Sequence, residues 1–317
     1  MTHNDYDIRD ATRRVKEAAF AAGFDKVGIV RAEALTNEGA KLKEWLRLGY
    51  HATMAWMERE PDKRADPTRL LEGARSVISV ALNYFTPKEH ASEPGTGKVS
   101  RYAWGDDYHD VVRERLEDLA ARISAILPGV RCRLCVDTSP ILDKAWAVRA
   151  GVGWLGKHTN VITQEMGSWV FLGEVIIDRE LEFDEPAEDH CGSCTACLDA
   201  CPTGAIVEAY LVDSNKCISF VTIELRSDEI PSAVKPDLEG WLYGCDICQD
   251  VCPWNRFEQE TSEKRFEPRA GNAARDLREL LEMDHEDYVE AFRNSAMKRA
   301  KLAGLQRNAK ALLGDVS

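Results

Sequence analysis

A chain of 317 residues, 44% hydrophobic and 30% charged, can bury one large core or two to three small ones and has the balance of an ordinary globular protein. Its net charge of −13 counts against a surface coated in nucleic-acid contacts, while leaving room for a local basic patch. No apolar run approaches the roughly 20 residues of a membrane span. The opening segment carries charges throughout and lacks an apolar export stretch, so the chain is expected in the cytoplasm with its ten cysteines reduced.

Residues 7–22 predict an amphipathic helix: Ile8, Ala11, Val15, Ala18, Ala19 and Ala22 share a face, and Gly23 is a natural stop. The twin arginine Arg13–Arg14 lies within it and reads as part of a solvated face. Residues 25–30 and the β-branched run 75–82 predict strands, the second one buried. Between them Asp66 precedes Pro67 as a helix N-cap, with Lys63 and Arg64 nearby as possible anion contacts. RYAWGDDYHD (101–110) reads either as a packed aromatic turn or as a pocket wall. Residues 107–127 predict a second helix, 129–137 a strand, 140–150 a helix opened by Pro140, and 167–178 a β-rich segment. This alternation argues an α/β or α+β core. Residues 178–189 hold seven acids and one base, as a solvated linker at a domain boundary would.

The stretch CGSCTACLDACPTG sets Cys191, Cys194, Cys197 and Cys201 ahead of Pro202. This is the C-x2-C-x2-C-x3-C-P iron–sulfur run, whose fourth cysteine ligates the other of two clusters. Three thiolates on a tight loop reach three irons of one cubane, and the fourth, one helical turn on, points away. A partner set follows in YGCDICQDVCPWN, with Cys245, Cys248 and Cys252, and Cys217 is available as the missing thiol. The expected wiring gives one [4Fe–4S] cluster to Cys191, Cys194, Cys197 and Cys252, and the other to Cys201, Cys217, Cys245 and Cys248. Two structural zinc sites are the alternative, disfavoured by the doubled C-x3-C-P. Cys132 and Cys135 remain. Side chains alternate along a strand, so these two thiols face opposite ways and cannot chelate; Cys135 is the one expected nearer a site.

A pair of clusters implies single-electron transfer to something bound by the upstream residues. VDTSPILDKAWAVRAGVGWLGKHTN (136–160) is the most suggestive stretch. Asp137 ends a strand, where sites often lie, although it would also serve as the N-cap of the next helix. The glycines of GVGWLG would let backbone approach a large ligand, but they do not form the dinucleotide fingerprint.

Together with KRADP (63–67), GARSVI (73–78), ALNYF (81–85), CISFVTIE (217–224) and GCDICQDVCPWN (244–255), these segments span about residues 54 to 255. With them the chain resembles the epoxyqueuosine reductases. The resemblance implies a corrinoid-binding α/β domain related to the reductive dehalogenase core over residues 1–178. A ferredoxin-like domain with two [4Fe–4S] clusters follows over 179–257, and a short HEAT-like helical tail over 258–317. It implies base-off cobalamin and reduction of epoxyqueuosine to queuosine at the wobble position of a tRNA with a GUN anticodon. Asp137 takes the place of the family's proton-donating aspartate, a role that asks for a raised pKa. His109 is expected as its partner. Arg64, Tyr102, Lys157, Asn160, Ser219 and Arg226 are candidate cobalamin contacts by motif position and polar character.

Residues 291–314 carry six bases and no acid. Lys298, Arg299, Lys301, Arg307 and Lys310 are candidate tRNA-phosphate contacts. An external electron donor and a monomeric state are expected. The competing readings are a reductive-dehalogenase-like oxidoreductase, a non-catalytic electron-transfer module and a zinc-stapled RNA-binding protein.

Overall fold

The computed structural model describes residues 6–90 and 92–314. Its central sheet has four strands in the order Lys26–Arg31, Ser76–Asn83, Val170–Ile177 and Cys132–Cys135, each antiparallel to its neighbours. Strands and helices alternate in sequence, yet the strands do not pair through parallel crossovers, so this core is the α+β arrangement of the two expected. The Ser76–Asn83 strand is buried at every position because helices cover both faces. Ile29, Ile78, Val80, Val175 and Ile177 share a core with the helices Ile8–Ala21 and Tyr108–Ile126. Val77, Cys135 and Ile176 turn the other way, onto Trp146 of the helix Asp143–Arg149. Each such apolar side chain contributes about 1.5–3 kcal/mol when fully buried, so a carboxylate placed at Ile78 would unfold the sheet locally.

Caps set where the two long helices begin. Asp7 accepts from the amides of Arg9 and Asp10 at 2.9 and 3.3 Å, and Asp107 accepts from the amide of His109 at 3.1 Å. The second cap also fixes Asp107 beside the ring of His109.

Several expectations are corrected. The strand expected over 129–137 is confined to Cys132–Cys135, and the helix expected from Pro140 starts at Asp143. Asp137 therefore does not cap it. A helix at Thr36–Arg47 went unread. Residues 178–189 are strapped to the core instead of forming a free linker: Leu181 is buried, and Asp184 accepts from the amide of Ile29 at 2.9 Å and from Lys16 at 2.5 Å. Acidic side chains made this segment look solvated, yet its alternate residues pack inward.

A second sheet joins Trp241–Tyr243, Thr96–Val99 and Ala274–Asp276, one strand from each of the three stretches the sequence separates. The core beneath it unites Trp104, Leu242 and Tyr243 with Leu277, Phe292, Met297 and Leu305. The C-terminal helices, ending with Lys301–Leu313, are thus built into the body of the molecule. Among the described residues no helix is long and apolar enough to cross a membrane.

Candidate active site and metal centres

The eight motif cysteines fall into two groups of four. Cys191, Cys194, Cys197 and Cys252 wall a cavity of about 80 Å³. Cys201, Cys217, Cys245 and Cys248 wall a larger, open cavity of about 460 Å³. The geometry behind this exchange is local. The helix Ala196–Ala200 carries Cys197 toward the first cavity, and its extended C-cap, Cys201, turns toward the second. The helix Ile247–Asp250 does the reverse, with Cys248 on the second cavity and Cys252 on the first. A lone zinc ion draws four sulfurs to about 2.3 Å from one point; among the described residues no three of these thiols converge on one ion in that way.

Burial pushes the thiols of Cys217, Cys245 and Cys248 up, an unfavourable setting for free thiolates that iron coordination relieves by displacing the proton. The first loop is tied by Lys157, whose ammonium donates to the carbonyls of Gly192 and Cys194 at 2.7 and 2.8 Å. Lys157 is therefore a strap on the cluster loop and not a wall of the large cavity.

The large cavity brings together elements far apart in sequence. Tyr102 and Tyr108 enter from the aromatic turn, Asp137 from the loop after the Cys132–Cys135 strand, Lys144 from the helix Asp143–Arg149, Asn160 from the loop after the glycine-rich segment, and Ser219 from the helix Ile218–Ile223. Tyr102 meets the Tyr243 hydroxyl at 3.1 Å, and Lys144 donates to the side-chain oxygen of Asn160 at 3.1 Å. Apolar walls come from Val161, Val170, Phe171, Leu172 and Ile223. Asp137 has φ +26°, an uncommon left-handed setting for a non-glycine residue.

A chain of two carboxylates and an imidazole ends at this cavity. His109 Nδ1 lies 2.7 Å from Asp107 and Nε2 lies 2.9 Å from Asp137. Burial opposes a charge on His109, but the two carboxylates outweigh it and push the imidazole up to about 9. Burial likewise raises Asp137, yet its bonds to His109 and the Tyr108 hydroxyl prevail and hold it below the usual carboxylate range. This corrects the expectation of a raised aspartate: at rest the proton sits on His109. Sequence reading found His109 and Asp137 but not Asp107, although an aspartate preceding a helix is a visible cap signal.

Other candidates lie elsewhere. Arg64 is buried, donates to the Trp56 carbonyl at 3.1 Å and packs on that indole, outside the cavity lining. Arg226 donates to the carbonyls of Ile223 and Arg299 at 2.9 and 2.8 Å and is likewise off the cavity. Arg307 is buried with its guanidinium on the carbonyls of Val221, Leu225 and Ser227, so it holds the C-terminal helix in place and is not free for phosphate. Arg299 pairs with Glu224 at 2.6 and 2.7 Å, leaving Lys298, Lys301 and Lys310 exposed.

The glycines of GVGWLG face protein and not an open ligand surface. A Cβ at Gly153 would lie 2.3 Å from the Ile162 carbonyl oxygen, and one at Gly156 would meet His158 at 2.8 Å. Cys132 and Cys135 do face opposite sides of the sheet, but Cys135 is sealed among Val77, Trp146 and Ile176 and does not line the cavity.

Residues 64–138 match the family model described as epoxyqueuosine reductase QueG, DUF1730, and residues 190–255 match a 4Fe-4S double cluster binding domain. An epoxyqueuosine reductase of Synechocystis sp. is 48% identical over 90% of this chain and 100% of its own length. One of Cellulophaga algicola is 46% identical over 93% and 95%. A crystal structure of epoxyqueuosine reductase with an epoxyqueuosine-modified tRNA-Tyr stem loop superposes with a TM-score of 0.91 at 34% identity, covering 97% of this chain and 82% of that one. A Bacillus subtilis epoxyqueuosine reductase, with its catalytic aspartate loop swung out of the active site, superposes with a TM-score of 0.91 at 33% identity over the same shares. The chain belongs to the epoxyqueuosine reductase family.

Proposed function

We propose that this chain reduces epoxyqueuosine to queuosine at the wobble position of tRNA, with Asp107, His109 and Asp137 as its proton-delivery unit. The carrying observation is that Asp137 and the four thiols of the second cluster wall one cavity. An acid and an electron source thereby meet at one place.

Cobalamin fits the residues present. Tyr102, Asn160, Thr203 and Ser219 set hydroxyl and amide groups beside the apolar surface of Val161, Val170, Phe171, Leu172 and Ile223, while Asp137, Asp143 and Lys144 add charge to the same wall; amides and hydroxyls flanking an apolar face suit a flat macrocycle fringed by amides. Bound there, it would supply a low-valent cobalt for two-electron reduction. The protein's own part is the proton. Converting an epoxide to an alkene consumes two electrons and two protons and releases water, and its oxygen leaves poorly as an alkoxide without an acid. When the substrate displaces water from the cavity, ionised Asp137 loses solvation and its pKa rises. It then takes the His109 proton and presents it to the epoxide oxygen, and the second proton, which completes the departing water, is drawn from solvent. Asp107 holds the ring in the orientation that makes this transfer possible.

The tRNA would reach the cavity with its wobble nucleotide turned outward, since chemistry on a base needs the base out of its stack. The exposed Lys298, Lys301 and Lys310 would meet its phosphates. A GUN anticodon, a monomeric enzyme, a cytoplasmic setting and an external electron donor complete this reading.

The test is anaerobic reconstitution with iron, sulfide and cobalamin, followed by incubation with epoxyqueuosine-containing tRNA and a chemical reductant. About eight irons and one cobalt per chain, with queuosine formed, is the expected result. Full iron with no cobalt bound and no queuosine would leave an electron-transfer module as the better account.

A further inference from the structure

His158 is 3% exposed and walls both cavities. Its Nδ1 accepts the backbone N–H of Asn160 at 3.2 Å, and Asn160 belongs to the large cavity. A neutral ring that accepts at Nδ1 carries its proton on Nε2. That Nε2 is buried and has no partner. A buried donor left unpaired costs roughly 1–3 kcal/mol, so its retention asks for an acceptor that arrives with a bound group.

The side on which Nε2 lies follows from its neighbours. Nδ1 is engaged by Asn160, and the adjoining Cε1 and Nε2 lie against Gly156, where a Cβ would fall 2.8 and 3.1 Å from them. The position a Cβ would take there also touches Ile162, which walls the small cavity and packs with Cys191 and Cys252. Burial, aided by the Lys144 charge, pushes the imidazole down to about 4 and keeps the ring neutral.

We infer that His158 donates an Nε2–H hydrogen bond to a sulfur of the cluster held by Cys191, Cys194, Cys197 and Cys252, and thereby raises that cluster's reduction potential relative to its neighbour. The inference rests on the reading of those thiols as iron–sulfur ligands. A donor to cluster sulfur stabilises the more negative, reduced state and moves the potential upward. Because His158 also borders the large cavity, it sits between the first cluster and the site to which electrons must pass. It is a positioning and tuning residue; it contributes no electron or proton.

Two variants separate this role from a structural one. In His158→Asn the amide oxygen can still accept from the Asn160 N–H, as Nδ1 does, but no donor reaches the Nε2 position. In His158→Gln an N–H returns near Nε2. Each is reconstituted with iron and sulfide without cobalamin, checked for iron content, and titrated potentiometrically with detection by electron paramagnetic resonance. The expected result is full iron in both variants. One of the two cluster couples moves to lower potential in His158→Asn and moves back in His158→Gln, while the other couple stays in place as an internal reference. Unchanged couples in the Asn variant at full iron, or both couples shifting together, would overturn the inference. Wild-type protein that takes up zinc and no iron would instead overturn the cluster reading beneath it.

Discussion

His109 Nε2 lies 2.9 Å from Asp137 Oδ2, and this contact decides where the proton waits. An aspartate alone at a cavity wall would have to be kept neutral by burial to act as an acid. Here the imidazole holds the proton, pushed up to about 9, and the aspartate is held ionised below its usual range. In the mechanism proposed above, the proton is stored one bond back from the reaction and is handed forward when the substrate dries the cavity.

Replacing Asp137 by Asn removes the last carrier without disturbing the thiols. A positioned general acid is worth about 10²–10⁴-fold in rate. Single-turnover conversion of epoxyqueuosine-containing tRNA should fall by that order, with iron content equal to wild type. Wild-type turnover in this variant would remove Asp137 from the mechanism.

The pH profile follows from the same pair. The imidazolium supplies the proton, so kcat/KM should be steady below about 9 and decline as pH rises through that value. Asp107→Asn removes one of the two carboxylates that raise His109 and should move the alkaline limb to lower pH, toward the ordinary histidine value of about 6.5. A limb that stays in place would show that a different group titrates.

Neighbours in sequence should fail as members of different clusters. Cys252→Ser belongs with Cys191, whereas Cys248→Ser, four residues earlier, belongs with Cys201. Each should lose about four of eight irons on reconstitution, and the remaining cluster should have a different potential in the two variants. The same residual couple in both would refute the crossed wiring.

The tail separates binding from folding. Changing Lys298, Lys301 and Lys310 to Gln should weaken tRNA binding and flatten the dependence of log K on log salt by roughly two units, at about 0.7 per single-strand phosphate contact. Arg307→Ala should instead lower the thermal midpoint, because it strands the carbonyls of Val221, Leu225 and Ser227 at a cost of roughly 2–4 kcal/mol. Its folded fraction should bind tRNA with the wild-type salt slope. Filter binding over a salt series, beside calorimetry, checks both.

What the sequence determined by itself was whatever short-range spacing controls. Four cysteines three, three and four positions apart dictate a loop followed by one helical turn, and that geometry sends the fourth thiol to a second cluster wherever the segment sits. The β-branched run at 75–82 had to be a strand, and the alternation of Cys132 and Cys135 had to part them. What the tertiary structure decided were properties that depend on a partner distant along the chain. Arg307 lies in a basic run like its neighbours, but it alone of the tail candidates is drawn beneath Val221 and Leu225. Lys157 has the polar character of a cofactor contact, yet the carbonyls of Gly192 and Cys194 claim it. The protonation of Asp137 turned on Asp107 and His109, 30 and 28 positions upstream. A pKa is a sum of burial and nearby charges, and both are set by the fold.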